Sequence, residues 1–192
     1  MPTTKSDIVC FLKMNPFISR LNFSFLSYKV YPTAYQKDVA EAIHSEEIKI
    51  GTGVSPGAGA NYYNEFDRLE LLKTFDIKSR REQAFLIHEC THAHLDIQRF
   101  GSHSGHENEA VAYLAEAIFL EAAGGPPLGT EMIRVVSHRI AKTILSGTYF
   151  VPSTDAGNLV KEVSRHPLYT SKAFYFSNGF NRSALNTILR IL

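Results

Sequence analysis

The 192-residue chain has few means of cross-linking itself, gripping a polyanion or entering a bilayer. It carries two cysteines, Cys10 and Cys90, too few for a disulfide framework. Lysine plus arginine number 20 against 19 aspartate plus glutamate, a formal charge of +1, so no general attraction to nucleic acid or anionic lipid is expected. Nowhere do about eighteen apolar residues run together, so no segment is a candidate membrane span. Asp7, Lys13 and Asn15 interrupt the N-terminal stretch where a secretory signal needs an unbroken apolar run, and the expectation is a cytoplasmic protein, or one that leaves by a route independent of a signal peptide. Repeats, heptad arrays and low-complexity tracts are also absent. What remains is 44% hydrophobic with 13 Phe and 9 Tyr, which suits an ordinary folded globule. Its length fits one domain spanning 1–192.

Hydrophobic periodicity and punctuation divide that domain. Helical composition covers 6–12 and 33–44, the second opening at Thr33. Residues 47–51 alternate as a strand does, and glycine-rich 51–60 reads as a loop. Residues 60–63 and 68–72 flank Asn64 and Asp67, which suit a chain reversal, so a hairpin is expected. Ser79 followed three residues later by Glu82 is a capping-box pattern, and it opens a helix predicted over 80–99. Residues 100–106 read as a loop, followed by an alanine-rich helix over 107–123 that stops at Gly124. Met132, Val136, Ile140 and Ile144 mark a further helix closed by Gly147, and shorter helices are expected over 156–164 and 183–192. The fold class expected is α+β, with a small mixed sheet and edge hairpin packed on a long helix, and a mostly helical C-terminal part.

The chemistry lies in the long helix. His88-Glu-Cys-Thr-His92 places two imidazoles one helical turn apart, about 6 Å along the axis and nearly on one face, so both can reach one cation. Glu89 lies about 100° round from His88, beside such an ion rather than on it, where a carboxylate can take a proton from bound water. About two shuffled chains in a hundred of this composition would carry the pattern by accident, but few would place it inside a capped helix followed by another helix bearing carboxylates. A hydrolytic zinc site takes three protein ligands and leaves a fourth position for water. Glu109, seventeen positions after His92, is the first choice for the third ligand. Glu116 is the reserve, His103 and His106 are rivals from the loop, and Glu107 faces elsewhere. Asp96 is read as a residue that orients a ligand histidine or as an exposed acid, and His94 as a surface histidine. Tyr149, His166 and Tyr169 are the candidates to stabilise an oxyanion.

His88-Glu-Cys-Thr-His92 together with Asn108-Glu109-Ala110-Val111-Ala112 resembles the glutamate-zincins, the thermolysin-like clan of metallopeptidases. The resemblance covers roughly 45–123 as a catalytic core. It implies a zincin-like fold, one Zn²⁺ per chain held by His88, His92 and Glu109, and peptide-bond hydrolysis with Glu89 as general base. It also implies a protein or peptide substrate added as a strand along 60–63 or 68–72. Tyr113 stands where the clan's pattern has Asp four residues after the ligand Glu. Leu95 and Gln98 stand where metzincins have Gly and a third His. In size and arrangement the chain also looks like compact metallopeptidase domains of bacterial effectors and toxins, which implies an inhibitor or immunity partner. Three other readings remain open: a zinc hydrolase of a non-protein amide, a non-catalytic protein whose zinc only pins two helices, and an interaction protein without metal.

Overall fold

The computed structural model describes residues 3–54, 59–98, 100–170 and 174–178, with side chains described over 3–54, 59–98 and 104–170. Among these residues it is mixed α+β, with six α-helices and small sheets. Helix α1 (Lys5–Met14) starts at a Thr4–Asp7 capping box, which satisfies two backbone donors reciprocally. A short hairpin follows, β1 (Phe23–Phe25) and β2 (Tyr28–Val30), in a stretch whose sequence predicted no element. The helix predicted over 33–44 is a π-helical stretch, Ala34–Val39, running into α2 (Ala40–His44).

The predicted sheet is mixed. Strand β3 (Lys49–Thr52) pairs parallel with β5 (Arg68–Leu71), and β4 (Ala60–Tyr63) pairs antiparallel with β5, giving the order β3-β5-β4. The segment 68–72, one of two proposed substrate strands, therefore forms the middle strand, and β4 is the outer one. A Cβ on Gly59 would fall 2.2 Å from the ring of Phe85, so the absence of a side chain there lets the start of β4 close onto the long helix. That helix is α3 (Arg80–Gln98). Half of the predicted capping box forms: Ser79 Oγ accepts from Glu82 N, whereas the Glu82 carboxylate takes the amide of Asp76 instead.

Residues 100–104, expected as loop, form strand β6 (Phe100–Ser104), antiparallel to β7 (Phe174–Asn178). The paired residues lie 70 to 78 positions apart in sequence, so local turn chemistry could not announce the pairing. Helix α4 (Gly105–Ala122) is buried on all sides between α3, α5 (Met132–Leu145) and α6 (Ser153–Arg165). Its run Ala110-Val-Ala-Tyr-Leu-Ala-Glu-Ala-Ile-Phe-Leu explains this, since a helix apolar all round must be covered all round and its alanines let neighbours approach. Phe119 completes the far end against Phe11 and Phe17, both edge-on at 5.9 and 6.2 Å. The helix expected over 183–192 lies outside the described residues, as does part of the loop 51–60. No described helix is long and apolar enough to cross a membrane.

Candidate metal centre

Helices α3 and α4 run antiparallel, because His92 meets Asn108 near the start of α4 while His88 meets Glu116 further along. That reversal brings Glu109 over the histidine pair. Its Oε2 lies 3.5 Å from His88 Nε2 and 3.6 Å from His92 Nε2, and all three residues are buried. For a tetrahedral zinc ion with bonds of 2.0–2.1 Å, neighbouring donors stand about 3.3–3.4 Å apart. Both Nε2···Oε2 separations are close to that spacing, the ligand atoms of the three residues all lie within 4.8 Å of one another, and among the described residues they are the group that could hold a metal ion. The donor set of two imidazoles and one carboxylate suits a borderline cation and leaves coordination positions for other ligands.

The histidines are held from their other nitrogens. His92 Nδ1 bonds Asn108 Oδ1, which as an acceptor keeps the proton on Nδ1 and leaves Nε2 bare toward Glu109. His88 packs its ring edge-on to Tyr113, 4.7 Å between centroids. Without a cation, the electrostatics are those of a buried ion pair. Burial opposes a charge on His88, but the carboxylates of Glu109 and Glu116 outweigh it and raise its pKa well above the ordinary 6.5. Burial likewise opposes a charge on Glu109, and the two imidazoles overcome it to hold this carboxyl well below 4.5. Glu89 is raised, first by burial, with the imidazoles pulling the other way.

Glu89 turns toward β4, where its Oε2 accepts the backbone N–H of Tyr62 at 2.7 Å. The Tyr62 hydroxyl then reaches Asp96 Oδ2 at 2.9 Å, so one residue of the outer strand is stapled to α3 at two places, two turns apart. Asp96 is fully buried in this role, which corrects its reading as an exposed acid. His94 is also fully buried, not at the surface. The unforeseen β1–β2 hairpin covers that side of α3, with Lys29 O 3.2 Å from His94 Nε2 and the Tyr31 ring edge-on at 5.2 Å. Burial lowers the pKa of His94, consistent with a neutral ring among aromatics.

No protein-family model, curated protein or solved structure matches this chain. The geometry therefore stands alone in defining the site. Asn61, Tyr62, His88, Glu89, His92, Glu109 and Tyr169 line a cavity of about 80 Å³. Of the three oxyanion candidates Tyr169 is the one in this lining, while Tyr149 is 62% exposed elsewhere and His166, outside the lining, packs its ring against Tyr169, 5.4 Å between centroids. Tyr169 is fixed by Tyr113, hydroxyl to hydroxyl at 2.8 Å, and by His106 Nε2 at 2.9 Å from its carbonyl oxygen. His106 thus anchors the wall and is not among the donors. The His103 side chain lies outside the described residues. Glu107 sits in the first turn of α4, its N–H capped by Ser104, and Glu109 falls in the second turn because the helix begins at Gly105, two residues earlier than expected. Glu116 stands behind His88, on the Nδ1 side, and not with the three converging donors. Cys10 is exposed and Cys90 buried, and both are free.

Proposed function

We propose that the chain is a zinc-dependent metallopeptidase of the zincin type, with His88, His92 and Glu109 holding one Zn²⁺ and Glu89 acting as general base. The observation that carries this reading is the convergence of two Nε2 atoms on one Glu109 oxygen at 3.5 and 3.6 Å, with a second carboxylate, Glu89, beside them in the same cavity. Bound zinc would supply a Lewis acid for a carbonyl and lower the pKa of a water. Glu89 accepts that proton and returns it to the leaving amine; the Tyr62 N–H fixes one of its oxygens so that the carboxylate stays turned to the cavity. Burial, then the nearby Glu109 carboxylate and Tyr113, push the Tyr169 phenol far above its ordinary pKa, so it remains protonated and can donate to a developing oxyanion.

An extended peptide would lie along β4, the outer strand beside the cavity, exchanging main-chain hydrogen bonds with it. A second reading, hydrolysis of a small non-protein amide, is favoured by the size of the cavity, which at about 80 Å³ has room for only about two or three water-sized groups. A purely structural zinc would want a fourth protein donor, and three converge among the described residues.

Metal analysis of the purified chain should give about one zinc per chain. Offered a fluorogenic peptide library and a panel of small amides, the chain should cleave peptides, and Glu89→Ala should keep its zinc and lose turnover. Undiminished hydrolysis by Glu89→Ala would overturn the mechanism, and cleavage restricted to small amides would select the second reading.

A further inference from the structure

Resting on that reading of the metal centre, we infer that Glu116, held by Arg134, is the positioning residue that aims His88 at the cation, so that the site extends into α5, a helix contributing no metal donor. Glu116 follows Glu109 by seven residues, two helical turns and so nearly the same face of α4, which carries it past the ligand position to the back of the His88 ring. Its Oε2 lies 3.5 Å from His88 Nδ1, and no closer partner satisfies that buried nitrogen among the described residues. An imidazole that binds a cation through Nε2 must keep its proton on Nδ1, and that proton needs an acceptor. Glu116 offers one from the side opposite Glu109, which also explains why it cannot itself join the donors: it reaches the wrong nitrogen.

A carboxylate at 3% exposure needs a countercharge, and Arg134 of α5 provides it by donating from Nη1 to the other oxygen, Oε1. Arg134 is in turn fixed on two sides. Glu131 lies 3.6 Å from its Nε, and its guanidinium carbon sits 5.2 Å over the Tyr113 ring, which stands T-shaped to His88. His88 is thus enclosed by α4 and α5 together, with the carboxylate locked in one rotamer and the ring locked by the carboxylate.

The test is zinc affinity by chelator competition on the full chain. Glu116→Ala should weaken zinc about 10–100-fold, the usual consequence of losing a partner that orients a ligand histidine. Glu116→Gln, which keeps an acceptor oxygen, should restore most of the affinity. Arg134→Ala should weaken zinc less, and the double variant Glu116→Ala/Arg134→Ala should bind no worse than Glu116→Ala alone, because Arg134 acts through Glu116. Equal affinity in wild type and Glu116→Ala, or equal loss in the Ala and Gln variants, would overturn the inference while leaving the metal reading intact. A wild-type chain that takes up no zinc would remove both. Should the variants fail to fold, ¹⁵N imidazole NMR of the zinc-loaded wild type decides: the His88 proton belongs on Nδ1, and a proton on Nε2 would overturn the assignment.

Discussion

The floor of the candidate metal centre and its walls are assembled in opposite ways. His88, Glu89, His92, Glu109 and Glu116 come from two consecutive helices, within fewer than thirty residues of sequence. The walls come from far off: Tyr62 from the outer strand, Tyr169 from the segment after α6, 56 residues beyond the Tyr113 it bonds. Helical spacing and one local helix-loop-helix reversal bring the candidate donors together, whereas pairing with distant segments is needed to surround them. Metal capture should therefore belong to the floor, and rate and access to the walls.

The largest test of that division removes a donor. His88→Ala, His92→Ala and Glu109→Ala should each weaken zinc by more than about 100-fold, beyond the range expected for an orienting partner. Unchanged zinc after Glu109→Ala, with loss after His103→Ala or His106→Ala, would move the third ligand to the strand or its margin. Tyr169→Phe should instead leave zinc content and affinity alone and lower turnover about 10²–10³-fold, the effect of removing one donor to an oxyanion. A change in zinc affinity of that size in Tyr169→Phe would break the comparison.

Acidity sharpens it. In the metal-free chain the raised pKa of His88 gives stability that is full below its ordinary 6.5 and is lost as pH rises through the raised value. The lowered pKa of Glu109 gives stability present above its ordinary 4.5 and lost as pH falls through the lowered value. The ion pair thus supports the empty floor most between these limits. Zinc must displace the His88 proton, so its increment in Tm should grow as pH rises from about 5.5 to 8. A constant or shrinking increment in paired melts with and without zinc would contradict the site's electrostatics. The smallest effect is a wall effect: Tyr62→Phe strips a donor from buried Asp96 and should cost about 1–3 kcal/mol of stability in denaturant titrations, with zinc affinity unchanged.

The same division governs what could be read from the sequence. Helix α3 was legible from its Ser79 cap pattern and α4 from its alanine-rich run, although the Ser104 cap that starts α4 was read as loop; the His88–His92 pair followed from i,i+4 spacing, and Glu109 from its place early in the next helix. The β1–β2 hairpin was not, since Phe23–Phe25 and Tyr28–Val30 are too short to show a period, and with it went the burial of His94. Strand β6 looked like a loop because its partner stands in the distant C-terminal part. Tyr149, His166 and Tyr169 carried equal claims in one dimension, each able to donate a hydrogen bond. Only packing against Tyr113 and His106 singled out Tyr169. Glu116 shared a face with Glu109, and the sequence could not tell which nitrogen of His88 it would reach.

The Tyr113–Tyr169 contact also orders events during synthesis. Once α4 has left the ribosome, all the donors have been translated, yet the phenol that faces them is still dozens of codons away. Closing a loop of that length carries an entropic cost the neighbouring helices escape. On the proposed reading, the nascent chain acquires a place for its ion well before it acquires the group that acts on substrate, and it becomes a catalyst only as its last third docks.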